Sequence, residues 1–127
     1  MYTYRRERAN SFIMEELTLL LRDAVRDPAV QALTITEVDL TKDRRVARVY
    51  VACYSGEEDL QEGLKGLERA KGFLRHGLAE VLHWRFTPEL EFRVDRSWQY
   101  GARLEELFAK IAEERAQATS EDTVEPS

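Results

Sequence analysis

The sequence predicts a two-layer α+β domain, with helices packed on one face of a small sheet. Three observations predict it: long segments with helical apolar spacing, short segments with strand alternation, and an order that interleaves the two. The chain has 127 residues, 43% hydrophobic and 34% charged. That size suits one domain with a single core, which hides roughly two-thirds of the unfolded surface on folding.

Residues 4–26 come first. Ile13, Leu17, Leu20, Leu21 and Ala24 recur at helical steps and make one apolar face. Asp27-Pro28 stops this helix, because the proline ring pushes the preceding residue out of the helical region. Two strands follow. Residues 33–40 are dense in β-branched side chains, and Val38 and Leu40 share a face. Residues 46–54 put Ala47, Val49, Val51 and Cys53 on one side and Arg48, Tyr50 and Tyr54 on the other, the pattern of a sheet with one wet face. Thr41-Lys42-Asp43-Arg44-Arg45 between them has a hairpin-loop length.

Residues 58–83 form a long helical region, with Leu60, Leu64, Leu67, Leu74 and Leu78 leading to Val81 or Leu82. It carries Gly63, Gly66, Gly72 and Gly77, each costing a helix interior about 1 kcal/mol relative to alanine. That density predicts a kink or break around Ala70-Lys71-Gly72. Thr87-Pro88 ends the region. Residues 89–95 then alternate, with Leu90, Phe92 and Val94 inward and Glu91, Arg93 and Asp95 outward. Ser97 is placed to cap an extra C-terminal helix through about Glu114, with Leu104, Leu107, Phe108 and Ile111 on one face. Residues 116–127 are small, polar and acidic, the composition of a disordered tail. The expected division is one domain over residues 1–115 and a tail over 116–127.

Composition narrows the function classes. The longest stretch without a charge is nine residues, 28–36, whereas a membrane span needs about 20 apolar residues. The opening MYTYRRER lacks the apolar run of a secretory signal, and one cysteine makes no internal disulfide, so a cytoplasmic protein is expected. Cys53 alternates in phase with Val49 and Val51, as a small buried hydrophobe does. His76 and His83 are about 10 Å apart along a helix axis, too far to share a metal. No glycine-rich phosphate loop is present, and no nucleophile, base and orienting group come together. The expectation is a non-enzyme without metal or cofactor.

Charge is spread unevenly. The net of −5 divides into −1 for residues 1–100 and −4 for residues 101–127. The folded part is therefore able to present a basic side. Three clusters are candidates for it. Arg5, Arg6 and Arg8 stand at the first helix's N-terminus, the end where the helix dipole disfavours cations. Lys42, Arg44, Arg45 and Arg48 lie in and after the hairpin loop, beside exposed tyrosines. Lys65, Arg69, Lys71, Arg75 and His76 surround the expected helix break, where much of the set is expected to share one side and a new helix N-terminus attracts phosphate. The rival class is a module that binds protein alone, which accounts for the net acidity directly; a small hydrolase ranks below both.

An ordered set of short motifs runs along residues 5–108: Arg5-x-x-Arg8, Glu16-Leu17-x-x-Leu20-Leu21, Asp27-Pro28, Thr34-Ile35-Thr36-x-Val38-x-Leu40-x-x-Asp43 and Ala47-x-Val49-Tyr50-Val51. It continues through Leu67-Glu68-x-Ala70-x-Gly72-x-Leu74-Arg75, Pro88-Glu89-Leu90-x-Phe92-x-x-Asp95 and Gly101-x-Arg103-Leu104. In that order the sequence resembles the ribosome-binding factor A family of bacterial small-subunit assembly factors. The chain departs from the pattern at Asp43-Arg44-Arg45, which is more basic than usual, and at Trp84, where an aliphatic residue is the norm.

The resemblance implies a K-homology type II-like fold, helix-strand-strand-helix-kink-helix-strand, with a bend at Ala70 and Gly72 in place of the usual G-x-x-G loop. It also implies a factor that binds 16S rRNA on free or immature 30S subunits and promotes late maturation and rRNA processing, including cold adaptation. Such a factor is a cytoplasmic non-enzyme and a monomer off the ribosome. The RNA-contacting residues expected on this reading are Arg5, Arg8, Lys42, Arg44, Arg45, Arg69, Lys71 and Arg75.

Overall fold

The computed structural model describes residues 2–124. Its elements are α1 (Tyr2–Asp23), α2 (Pro28–Gln31), β1 (Thr34–Leu40), β2 (Val46–Ala52), α3 (Glu57–Leu82), β3 (Glu89–Val94) and α4 (Ser97–Val124). They fall into two compact units, residues 1–95 and 96–127.

In the first unit the strands form one sheet in the order β1-β2-β3, with β2 antiparallel to β1 and parallel to β3. The alternation read in β2 is the observed one. Ala47, Val49 and Val51 are fully buried and Cys53 nearly so, while Arg48 and Tyr50 are half-buried and Tyr54 is exposed. In β1 a bulge falls between Ile35 and Glu37. The extra residue shifts the phase, so that Ile35 and Val38, three apart, both reach the core. The Thr36 hydroxyl at the bulge donates to Asp95 Oδ2 at 2.6 Å, tying β1 to the end of β3.

The helices cover the apolar face. Ile13, Leu17 and Leu21 of α1 and Leu60, Leu67, Leu74, Leu78 and Leu82 of α3 join the strand residues in one core. Each fully buried leucine contributes about 1.5–3 kcal/mol relative to exposure. Ala24, expected on the inner face, is exposed, because α1 ends at Asp23. Asp27-Pro28 does more than end α1. The Asp27 side chain accepts from the Ala29 N–H at 3.0 Å and caps a one-turn helix that begins at Pro28.

Of the kink or break expected at Ala70-Lys71-Gly72, the break is absent: α3 runs as one helix of 26 residues. The glycines have another cause. A Cβ on Gly63 would lie 2.7 Å from Leu33, one on Gly66 2.5 Å from Val30, and one on Gly77 2.8 Å from Leu20. Three of the four are points of close approach between α3 and its neighbours, so packing offsets their propensity cost. Gly72 alone faces open space.

The second unit is α4, which continues past the Glu114 end expected from its apolar spacing. Ala116, Gln117 and Ala118 favour helix, and no glycine or proline intervenes before Pro126. The boundary expected at 115/116 therefore falls inside a helix, residues 116–124 are helical rather than coil, and residues 125–127 lie outside the described residues.

Candidate nucleic-acid interface

The hairpin loop is held closed by its own polar groups. Thr41 N–H donates to Val46 O at 2.9 Å and Arg44 N–H to Thr41 O at 2.9 Å. The Asp43 carboxylate accepts from the Thr41 hydroxyl at 2.7 Å and from the Arg45 N–H at 3.1 Å. The Thr41 hydrogen bond, with the Arg45 amide adding to it, holds the Asp43 carboxyl below its ordinary range. Arg44 takes the left-handed conformation, φ 60°. Its guanidinium lies over the Trp84 ring, 4.9 Å from the centroid.

That contact joins two loops. Because β2 and β3 are parallel and Val46 pairs with Glu89, the hairpin loop and the segment before β3 emerge at the same end of the sheet. Glu89 N–H donates to Arg45 O at 2.8 Å. His83 ends α3 in the left-handed conformation, φ 54°. Trp84 packs against the core, Arg85 and Phe86 are exposed, and Pro88 is buried. The Arg85 guanidinium lies 5.4 Å from the Phe86 ring centroid.

The start of α1 reaches the same end. Asn10 Oδ1 accepts from the Leu40 N–H at 2.8 Å, just before the hairpin loop, and Arg6 lies 4.0 Å from Asp39. Arg5 and Arg8 belong to this turn and are exposed. Five of the eight expected RNA-contacting residues, Arg5, Arg8, Lys42, Arg44 and Arg45, thus come from elements that meet at one end of residues 1–95.

The third cluster is divided by the structure. Arg69 turns toward α2 and pairs with Asp27 at 3.2 Å. Lys71 pairs with Glu68 at 2.9 Å and lies 5.6 Å from the Phe92 ring centroid, on the side toward β3. Arg75, one turn on, donates to Thr87 O at 2.9 Å and Pro88 O at 3.2 Å. Arg75 therefore braces the loop before β3, and the single shared side expected for this cluster does not form. Lys65 and His76 pair locally with Glu62 and Glu80. Gly63-Leu64-Lys65-Gly66 has G-x-x-G spacing, but both glycines are buried against Leu33 and Val30 and are closed to a phosphate backbone.

The open face of the sheet is charge-balanced rather than basic. Arg48 lies 3.7 Å from Glu91, and Arg93 also bonds Glu91. The Arg93 hydrogen bond, with Arg48 adding to it, holds Glu91 below the usual carboxylate range. The exposed arginine and aromatic pair the sequence reading missed is Arg85-Phe86. Its signal was a cation between two aromatics, Trp84-Arg85-Phe86, directly after a helix end.

Known proteins share this architecture. The family model described as ribosome-binding factor A matches residues 5–108. A ribosome-binding factor A from Dictyoglomus thermophilum is 43% identical over 101 residues, 79% of this chain and 84% of that one. The crystal structure of ribosome-binding factor A from Thermus thermophilus superposes with a TM-score of 0.62 at 31% identity, over 70% of this chain and 93% of that one. A homology model of the Thermus thermophilus factor, fitted into a cryo-electron microscopy map of its 30S complex, matches with a TM-score of 0.56 at 33% identity, over 68% and 91%.

Proposed function

The chain belongs to the ribosome-binding factor A family, and we propose that it binds the 30S ribosomal subunit through 16S rRNA, using the basic end of residues 1–95. The observation that carries this reading is the meeting of Lys42, Arg44 and Arg45 with Trp84 and Arg85 at one end of the sheet. The relative fitted into a 30S complex supports the partner.

Phosphate contacts supply most of the affinity in such an interface. Arg5, Arg8, Lys42, Arg44 and Arg45 form its centre, and Lys71 and Arg75 its border along β3. Arg69 and Lys71 are the weakest members, since Asp27 and Glu68 offset their charges. Gly72 is the point of α3 where an RNA backbone comes closest, because nothing lies within 4 Å of a Cβ built there, while Ala70 packs against the core. The protein acts by occupancy and not by catalysis: as a cytoplasmic monomer it joins immature 30S particles and favours late maturation and rRNA processing, including in the cold. The acidic segment from residue 116 onward lowers binding to unrelated RNA.

Sedimentation of the purified chain with 30S particles across a salt series tests the reading. Expected is co-sedimentation at low salt that falls steeply as salt rises. Absence of co-sedimentation at low salt would contradict it and favour the protein-binding module, for which the exposed Leu107 and Phe108 of α4 are the natural surface.

A further inference from the structure

We infer that the loop before β3 stacks an unpaired RNA base on Phe86, a base-binding site separate from the phosphate contacts, with Arg85 beside it and Arg44 on the neighbouring Trp84. The inference rests on the RNA-binding reading above.

Phe86 is 66% exposed, the most exposed of the large apolar side chains described in residues 5–95. Its loop is nonetheless fixed at both ends. Trp84 packs on the core before it, Pro88 is buried after it, and Arg75 clamps the Thr87 and Pro88 carbonyls from α3. An aromatic ring displayed on a braced loop loses little freedom when a ligand covers it.

The cations around it are also set for RNA. Arg44 lies over Trp84 and Arg85 over Phe86. Among the described residues neither forms an ion pair with a carboxylate, so each keeps its charge for a phosphate while it lies beside a ring. The nearby Asp43 is turned inward to Thr41 and the Arg45 amide. An apolar protein groove would fit Phe86 but has no use for the guanidinium groups beside it. A base with a phosphate on either side uses both. Bases inside a duplex have no free face, so the site takes a single strand.

The test uses the full chain, a fluorescein-labelled ten-nucleotide adenosine RNA, a blunt RNA duplex, and 30S particles. Phe86→Ala is expected to weaken binding of the single strand by about 5- to 150-fold, the range for loss of one base–aromatic stack. Its salt dependence stays unchanged, because no charge is removed. Phe86→Tyr restores affinity, duplex binding is unaffected by either change, and thermal unfolding is unmoved because the ring is exposed.

The stack is refuted if Phe86→Ala binds the single strand like the unsubstituted chain while the double substitution Lys42→Ala and Arg45→Ala weakens it; the RNA-binding reading then survives alone. It is equally refuted if Phe86→Ala weakens 30S binding but not single-strand binding, which would make Phe86 a protein contact. If the unsubstituted chain binds none of the three probes, both readings fail together.

Discussion

Arginine serves opposite ends at two places in residues 1–95. At the junction of α2 and α3, Arg69 pairs with Asp27, whose carboxylate also caps α2 and lies 2.7 Å from where a Cβ on Gly66 would be. At the loop end, Arg44 and Arg85 lie over aromatic rings. A carboxylate partner cancels the charge it holds, whereas an aromatic partner orients a guanidinium and leaves its charge for a phosphate. Counting basic residues along the chain treats these arginines alike. Only the identity of each partner separates a brace of the fold from a surface for RNA.

The largest way to break this comparison is at the junction. Gly66→Ala would put a Cβ 2.5 Å from Val30 Cγ2 and 2.7 Å from Asp27 Oδ2. Overpacking at such a site costs about 1–3 kcal/mol, so urea unfolding is expected to shift to lower concentration. RNA affinity of the folded protein should not change, because the loop end is untouched. Loss of RNA binding without loss of stability would place the junction in the interface.

Gly72→Ala sharpens it with a smaller effect of the opposite sign. With open space around the position, alanine is expected to raise stability by up to about 1 kcal/mol through helix propensity. If RNA approaches α3 there, 30S binding weakens at the same time. A rise in stability with unchanged binding would remove Gly72 from the footprint.

The smallest effect concerns the loop end itself. Asp43 has a lowered pKa in the folded chain, so its contribution is present above the ordinary carboxylate pKa and disappears as the pH falls through the folded value. Asp43→Asn is expected to lower the thermal midpoint slightly at pH 7, and the difference from the unsubstituted chain should vanish in acid. A difference that persists in acid would mean that charge on Asp43 does not hold the loop.

The strands and the inner faces of α1 and α3 were legible because apolar periodicity is a local property, as Ala47, Val49 and Val51 illustrate. The sheet order was hidden from local patterns, since the parallel pairing of β2 with β3 joins segments separated by all of α3. The glycines of α3 were misread for the same reason. Their partners Leu33, Val30 and Leu20 lie far away in sequence, so contacts that seat the helix closely against its neighbours looked like sites of fracture. In the interface, the hairpin cations were legible as a cluster. The division of Arg69 from Arg75 was not, because each is committed by a partner, Asp27 or the Thr87 and Pro88 carbonyls, that local spacing does not reveal. Arg85-Phe86 carried a local signal that charge counting passed over.

If partner identity rather than cation density marks the RNA surface, 30S affinity against salt must separate two variants. One is the triple substitution Lys42→Ala, Arg44→Ala and Arg45→Ala; the other is the single substitution Arg69→Ala. The triple variant is expected to shallow the slope of log affinity against log salt by about two units or more, at roughly 0.7–0.9 for each phosphate left without its cation. Arg69→Ala is expected to change that slope by less than about half a unit. Equal slopes for the triple variant and the unsubstituted chain, or a larger change from Arg69→Ala than from the triple variant, would contradict it.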